Sequence, residues 1–198
     1  MTLWFATRRW WLSAVGLLVF LFAAIGAGEH QADLPSFTPI GSVTVKLMLF
    51  SPIPVCLAIL YCLDRRLPTA ELTGIRRTGL ADQAVVMTVG GLALCIAVLV
   101  SSSGHAASAQ AAGRNALFLM GLGMTVRAML GSTAAGAASV GWLALVTLVG
   151  YGGNLRPYAW TVVLRGANDV VSGALACSMF AVGLALTGLR APKTRGLN

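Results

Sequence analysis

Charged residues are scarce in this chain of 198 residues, which has fourteen Lys and Arg, six Asp and Glu and two His. They make up 10% of the sequence, and hydrophobic residues make up 57%, whereas soluble domains carry about 25% charged residues. This composition disfavours a soluble domain and favours a membrane protein, in which each helix uses roughly 20 residues to cross the hydrocarbon. Such helices use nearly the whole chain, so we predict one transmembrane domain over residues 1–198.

The motifs of common enzyme classes are also missing. A P-loop needs a lysine directly after a glycine, but the only lysines are Lys46, which follows Val45, and Lys193, which follows Pro192. The chain contains neither a His-Glu-x-x-His nor a Gly-x-Ser-x-Gly motif. No pair of acidic residues lies inside a predicted span, which disfavours proton-driven transporters and intramembrane proteases. We therefore predict that the chain is not an enzyme and cannot hydrolyse ATP alone.

Metal and disulfide sites lack their usual patterns. The four cysteines, at positions 56, 62, 95 and 177, form no Cys-x-x-Cys pair, so neither a disulfide framework nor a zinc site is indicated. His30 and His105, together with Glu29, could bind a metal, but solvated loop side chains are the preferred interpretation. We expect this chain to bind no metal and no cofactor.

Long apolar runs predict an all-α bundle of six transmembrane helices, at about residues 10–27, 43–63, 84–101, 115–130, 138–150 and 169–189. Pro52 and Pro54 predict a kink or local unwinding inside the second helix. The segments Gly28 to Ser42 and Ser102 to Gly113 are interpreted as external loops, and Gly131 to Ala137 as a tight internal turn. Several small residues are interpreted as points of close helix approach: Gly90, Gly91, Gly121, Gly123, Gly173 and Cys177.

The basic residues predict the orientation of the bundle, because cytoplasmic loops retain Lys and Arg. Nine of them fall on one side and three on the other. The nine are Arg8, Arg9, Arg65, Arg66, Arg76, Arg77, Arg190, Lys193 and Arg195, and the three are Arg114, Arg156 and Arg165. We therefore predict that both termini are cytoplasmic in the inner membrane of a bacterium. This pattern also explains the net charge of +8 without nucleic acid as a partner.

Lys46 and Arg127 are the two charges predicted to lie inside helices. A charge in a span is a candidate for a transport pathway because it costs roughly 3 kcal/mol at the bilayer centre. Both residues are predicted near a membrane boundary, where a long side chain can extend to water. We therefore prefer snorkelling to a pathway role for both.

Two further segments stand out between the spans. The first is a short cytoplasmic helix ending near Gly79, with Thr69 as N-cap and Glu71 in its first turn. Its apolar side would carry Leu72, Ile75 and Leu80, and its polar side Arg76 and Arg77. The second is the semi-polar segment from Asn154 to Asn168, which contains Arg156, Pro157, Tyr158 and Trp160. It is interpreted as an interfacial or re-entrant element on the outer side.

This layout resembles the permease subunits of ATP-binding-cassette (ABC) exporters of the type-2 (type V) class. Four stretches look similar to small actinobacterial membrane proteins that accompany exporter ATPases: Arg114-Asn115, Pro157-Tyr158-Ala159-Trp160, Gly166-Ala167-Asn168-Asp169 and Gly188-Leu189-Arg190-Ala191-Pro192. The resemblance implies that Thr69 to Leu80 is a coupling helix that docks on an ATPase. It implies equally that Asn154 to Asn168 is a re-entrant external gate.

The resemblance also implies the partners. They are membrane lipids, a separate subunit that binds ATP and Mg²⁺, and a second copy or another permease subunit. ATP-driven closure of the ATPase would push the coupling helices together and open the bundle outward. Because no charge is predicted deep in the bundle, we expect an amphipathic substrate such as a lipid, a peptide or an antibiotic. Two other classes stay open, a non-transporting membrane scaffold or immunity protein and a small channel.

Overall fold

A computed structural model describes residues 9–37, 41–64, 78–152, 156–158 and 160–189. This part of the chain contains six α-helices: α1 (Trp11–Ala27), α2 (Ile53–Asp64), α3 (Thr78–Ser102), α4 (Ala109–Leu130), α5 (Ser132–Val149) and α6 (Val170–Leu189). It also contains two antiparallel strands, β1 (Gln31–Pro35) and β2 (Ser42–Lys46), and two 3₁₀ turns, Leu47–Phe50 and Val162–Leu164.

Four segments are long and apolar enough to cross a membrane: Leu47–Asp64, Gly79–Ser102, Ser132–Val149 and Val170–Gly188. Helix α1 is equally apolar but has only 17 residues. The prediction of a mainly helical chain with helices long and apolar enough to cross a membrane is confirmed.

Helix α4 lies at the centre of the bundle, where it packs against α2, α3, α5 and α6. Every residue from Ala112 to Gly121 is buried, which covers all sides of the helix over nearly three turns. Its sequence includes Gln110, Arg114 and Asn115, and it is less apolar than the four candidate spans. A helix surrounded by other helices does not need a lipid-compatible surface, so these polar residues are tolerated where they find partners.

The backbones of α4 and α6 approach closely at two glycines. A Cβ atom on Gly121 would lie 2.5 Å from the carbonyl group of Met179, and one on Gly183 would lie 2.6 Å from the carbonyl oxygen of Gly121. The interpretation of Gly121 as a point of close approach is therefore confirmed. At Gly91 and Gly173 an added Cβ would meet no atom of the described residues within 4 Å, so neither is a point of close approach within that part of the chain.

The second predicted helix begins later than expected, and the loop before it is a β-hairpin. Val43 and Val45 are buried while Ser42, Thr44 and Lys46 are exposed, which is the alternation of a strand. Strand β2 pairs with β1 along its whole length. The segment Gly28 to Ser42, predicted as a loop, therefore contains β1 and the first residue of β2. The prediction of a helix from residue 43 is wrong, because this alternation merges with the apolar run that follows it.

Three more boundaries differ from the predictions. The α-helical part of the second span begins only at Ile53, after the 3₁₀ turn Leu47–Phe50 and Pro52, which agrees with local unwinding at the prolines. Pro54 lies in the first turn of α2, where a missing amide breaks no helical hydrogen bond. Helix α4 begins at Ala109, and Gly131, with φ of +95°, is the only residue between it and α5. Half of the predicted loop over residues 102–113 and nearly all of the predicted turn over residues 131–137 are therefore helical. Helix α5 has 18 residues, enough for a full crossing.

The helices run alternately up and down, so the bundle has two distinct ends. The hairpin end carries β1 and β2, and there the amide of Phe37 donates to the carbonyl oxygen of Leu148 near the end of α5 (3.0 Å). The opposite end, called the Arg127 end, carries the end of α2 and the start of α3. These two helix ends flank residues 65–77.

Candidate functional site

A buried arginine and a buried asparagine tie α4 to the segment before α6. Arg114 donates through Nη1 to the carbonyl oxygen of Gly166 and through Nη2 to that of Arg165, both at 2.8 Å. The side-chain amide of Asn115 accepts from Arg114 (3.2 and 3.3 Å) and donates to the carbonyl oxygen of Val163 (2.9 Å). We call this network the Arg114 clamp.

The clamp needs its complete set of partners because Arg114 is only 7% exposed and Asn115 only 1%. A buried guanidinium is tolerated when several acceptors replace its water, and here it finds two backbone carbonyls and an amide oxygen. The clamp therefore fixes the Val162–Leu164 turn and the two residues after it against α4. Arg114 was predicted as an external loop cation, and the structure instead places it in the second turn of α4.

Glu29 joins three elements at the hairpin end. Its carboxylate pairs with Lys46 at the end of β2 and accepts from the amide (3.0 Å) and the hydroxyl (2.9 Å) of Ser108, just before α4. The ion pair with Lys46 and the Ser108 amide lower the pKa of Glu29 to about 2. The prediction that Lys46 lies inside a helix is wrong, because it ends a strand, is exposed and has its own counter-ion.

A second ion pair precedes α6. Arg165 donates through Nη1 to the carboxylate of Asp169 (2.9 Å), which also accepts from the amide (3.3 Å) and the hydroxyl of Ser172. The hydrogen bonds from Ser172 and Arg165 hold the pKa of Asp169 at about 2. Asp169 thus caps α6, since its carboxylate satisfies a free amide in the first turn.

The four predicted gate residues lie close together in a folded segment at the hairpin end. Pro157 forms a β-bridge with Tyr151, and the amide of Tyr158 donates to the carbonyl oxygen of Gly150 (3.0 Å). The rings of Tyr158 and Trp160 stack with centroids 6.3 Å apart, and Trp160 meets Trp142 of α5 edge-on at 5.9 Å. Arg156 is exposed, and its carbonyl oxygen accepts from the amide of Gly152.

A cavity of about 580 Å³ opens at the hairpin end between the hairpin, the start of α4 and the segment before α6. We call it the hairpin-end cavity. Its size is within the range of small-molecule sites, about 300–1,000 Å³. Its lining includes the polar residues Gln31, Thr44, Lys46, Ser101, Ser108, Gln110, Asn115, Tyr151, Arg165 and Asn168 and the apolar residues Val45, Met48, Leu49, Ala112, Val163 and Leu164.

At the Arg127 end, an ion pair joins α4 to the end of α2. Arg127 donates through Nε to Asp64 (2.6 Å) and through Nη2 to the carbonyl oxygen of Leu63 (2.7 Å). The guanidinium thereby also satisfies a terminal carbonyl of α2. The Arg127 side chain is only 17% exposed and has these protein partners, and its position relative to a membrane boundary stays a prediction.

The predicted coupling residues fall largely outside the described part of the chain. Thr69, Glu71, Leu72, Ile75, Arg76 and Arg77 all lie there, so their contacts stay a prediction. Leu80, the end of the predicted coupling segment, belongs instead to α3, where it is exposed. Gly79 and Leu80 therefore belong to α3, which is described from Thr78, earlier than the predicted start at about residue 84, and the short helix before it lies outside the described residues.

The candidate metal ligands do not converge. His30 and His105 are both exposed, and His105 is within hydrogen-bonding distance of the hydroxyl of Ser103 (2.9 Å). Among the described residues, no three His, Cys, Asp or Glu side chains lie close enough to hold a metal ion.

Sequence reasoning missed the Arg114 clamp and the hairpin-end cavity. The available signal was the Arg114-Asn115 pair, a cation beside an amide at the start of an apolar run. Its partners are backbone carbonyls about 50 residues away, which no local pattern reveals. Comparison of the chain with protein-family models, with curated proteins and with solved structures found no match in any of the three.

Proposed function

We propose that this chain is the membrane subunit of an ABC exporter of the type-2 (type V) class. In this proposal it moves an amphipathic substrate and takes its energy from a separate subunit that binds ATP and Mg²⁺. The observation that supports it most is the filled centre of the bundle. Since α4 is buried on all sides from Ala112 to Gly121, one copy offers a substrate little room at its centre. The route then lies between this chain and a second copy or another permease subunit.

The orientation follows from the two ends of the bundle. Helix α2 ends and α3 begins at the Arg127 end, on either side of the arginine-rich stretch in the sequence. Adding Arg127 to the nine basic residues predicted inside, and Lys46 to the three predicted outside, gives ten against four. The positive-inside rule therefore favours a cytoplasmic Arg127 end, with both termini inside a bacterial inner membrane and the hairpin end outside.

The same layout suggests how ATP hydrolysis acts on the substrate route. A push on the Thr69 to Leu80 segment reaches α3 directly, and α3 packs along α4. The Arg114 clamp then links α4 to the outer segment around Val163 and Gly166, so the two move together. In this mechanism the Asn154 to Asn168 segment opens the external side when α4 shifts.

Affinity purification from the membranes of its own cells tests the proposal. The tagged chain should retain an ATP-binding-cassette subunit and ATPase activity in the eluate. The double variant Arg76→Glu and Arg77→Glu should lose at least 90% of that activity, because it reverses charge in the proposed docking segment. The matched control Arg156→Glu, at the opposite end, should retain the ATPase.

Two outcomes would replace the exporter. A chain that never retains an ATPase, even when neighbouring genes are expressed with it, favours a membrane scaffold or immunity protein. Ion flux through the purified chain in liposomes without ATP favours a channel, which the packing around α4 argues against.

A further inference from the structure

The charges that line the hairpin-end cavity have one sign. Lys46 contributes an ammonium group from β2, and Arg165 contributes a guanidinium from the segment before α6. Among the described residues that line the cavity, none is acidic. The two cations thus come from different walls of one cavity.

The acidic partners of these cations, Glu29 and Asp169, do not line the cavity, and each of them also accepts hydrogen bonds from a serine. Glu29 accepts from Ser108, and Asp169 accepts from Ser172, in addition to their ion pairs. Each acid is therefore fixed at a helix start while its cation reaches the cavity. Lys46 and Arg165 each use one hydrogen in the ion pair, and an ammonium has three donors and a guanidinium five. Donors are left for an anion.

The inner wall of the same cavity is apolar. Val45, Met48, Leu49 and Val163 are all 7% exposed or less, and each lines the cavity. Neutral donors from Gln31, Gln110 and Asn168 lie among these apolar and cationic groups. A site that combines cations with a hydrophobic wall selects a molecule with one charged end and one apolar end.

We propose that the hairpin-end cavity binds an amphipathic anion, in which a carboxylate or phosphate headgroup is attached to a short apolar group. The headgroup contacts Lys46 and Arg165, and the apolar group packs against Met48 and Leu49. This proposal goes beyond the exporter, because the binding is an equilibrium property of this chain without any ATPase. The two proposals therefore fail separately: a chain that retains an ATPase but binds no anion is an exporter without this site, and a chain that binds the anion but retains no ATPase is a binding protein.

Isothermal titration calorimetry tests the proposal. Hexyl phosphate is titrated into the purified chain in neutral phosphatidylcholine nanodiscs, and the heat measured with empty nanodiscs is subtracted. Hexyl phosphate should bind, whereas hexanol, hexyltrimethylammonium and inorganic phosphate should bind at least tenfold more weakly. Lys46→Gln and Arg165→Gln should each weaken binding about tenfold, and Lys46→Arg should restore it. Ala111→Phe, which keeps both ion pairs but fills the cavity, should also weaken it.

The matched control is Arg156→Gln, because Arg156 is an exposed cation of the hairpin end that does not line the cavity. It should leave the affinity unchanged. The proposal would be overturned if Arg156→Gln weakened the binding of hexyl phosphate as much as Lys46→Gln does. It would also be overturned if hexanol or inorganic phosphate bound as tightly as hexyl phosphate. Replacing half of the nanodisc lipid by phosphatidylglycerol identifies the source of the anion. Weaker binding of hexyl phosphate there identifies a membrane lipid as the occupant, and unchanged binding identifies a free amphiphile.

Discussion

Replacing Arg114 by methionine removes the Arg114 clamp while keeping a long side chain in the core. Two hydrogen bonds to carbonyl oxygens are lost, and hydrogen bonds to charged groups contribute about 1.5–3 kcal/mol each. The loss of stability is smaller than this sum for two reasons. Gly166 is exposed, so its carbonyl can regain a hydrogen bond to water, and the variant no longer buries a charge. We expect the free energy of unfolding to fall by about 2–3 kcal/mol.

Unfolding in mixed micelles with increasing sodium dodecyl sulfate measures this change. Arg156→Met is the control, because Arg156 is exposed and its side chain takes part in no described hydrogen bond, so it should change stability by less than about 0.5 kcal/mol. The Arg114→Met and Asn115→Leu pair should cost less together than the sum of the single variants, since both belong to one network. If Arg114→Met costs no more than the control, the clamp does not hold the outer segment.

Three further predictions concern packing, pH and the Arg127 end. Gly121→Ala should destabilise the bundle by about 1–3 kcal/mol because the new Cβ meets the backbone of α6 at 2.5 Å. Gly91→Ala should be neutral or slightly stabilising. Unfolding in mixed micelles compares the two variants, and equal changes in stability would refute the close approach of α4 and α6 at Gly121. The pKa of Glu29 falls on folding from its ordinary value near 4.5 to about 2, so its contribution to stability is complete above pH 4.5 and is lost as the pH falls towards 2. Because the ion pair with Lys46 is exposed, Glu29→Gln should lower the free energy of unfolding by at most about 1 kcal/mol at neutral pH and by less at pH 2. If stability depends on pH in the same way in the variant and in the unchanged protein, Glu29 is not the group that titrates. At the Arg127 end, we expect destabilisation by about 1–2 kcal/mol from Arg127→Gln and from Asp64→Asn alone. In a double-mutant cycle the two effects should not add, because both variants remove the same ion pair. Additive effects would show that the ion pair at 2.6 Å contributes nothing to stability.

The most accurate sequence predictions were for helices whose apolar runs have sharp ends. Helices α1 and α6 begin within one residue of the predicted positions, because polar or charged residues flank a continuous apolar stretch. The start of α4 was missed because Ser108, Gln110 and Arg114 read as a loop when lipid is the assumed environment. Other helices surround α4, so its composition follows protein packing and not lipid.

The candidate site was predicted less well than the fold because it is built from tertiary contacts. Sequence reasoning placed Lys46 in a helix, since Val43 and Val45 merge with the apolar run that follows. It assigned Arg114 to water because a lone arginine has no visible partner, although its acceptors lie at Arg165 and Gly166. Carbonyl acceptors have no signature in a sequence, so only the folded chain identifies them.

The orientation of the bundle decides whether an ATPase can reach the arginine-rich segment. Single cysteines at Phe37, which is 82% exposed at the hairpin end, and at Arg76 test it in a chain whose four native cysteines are replaced by alanine. A membrane-impermeant maleimide should label Phe37→Cys in intact cells and Arg76→Cys only after lysis. Labelling of Arg76→Cys in intact cells, with Phe37→Cys protected, would contradict energy coupling through this segment.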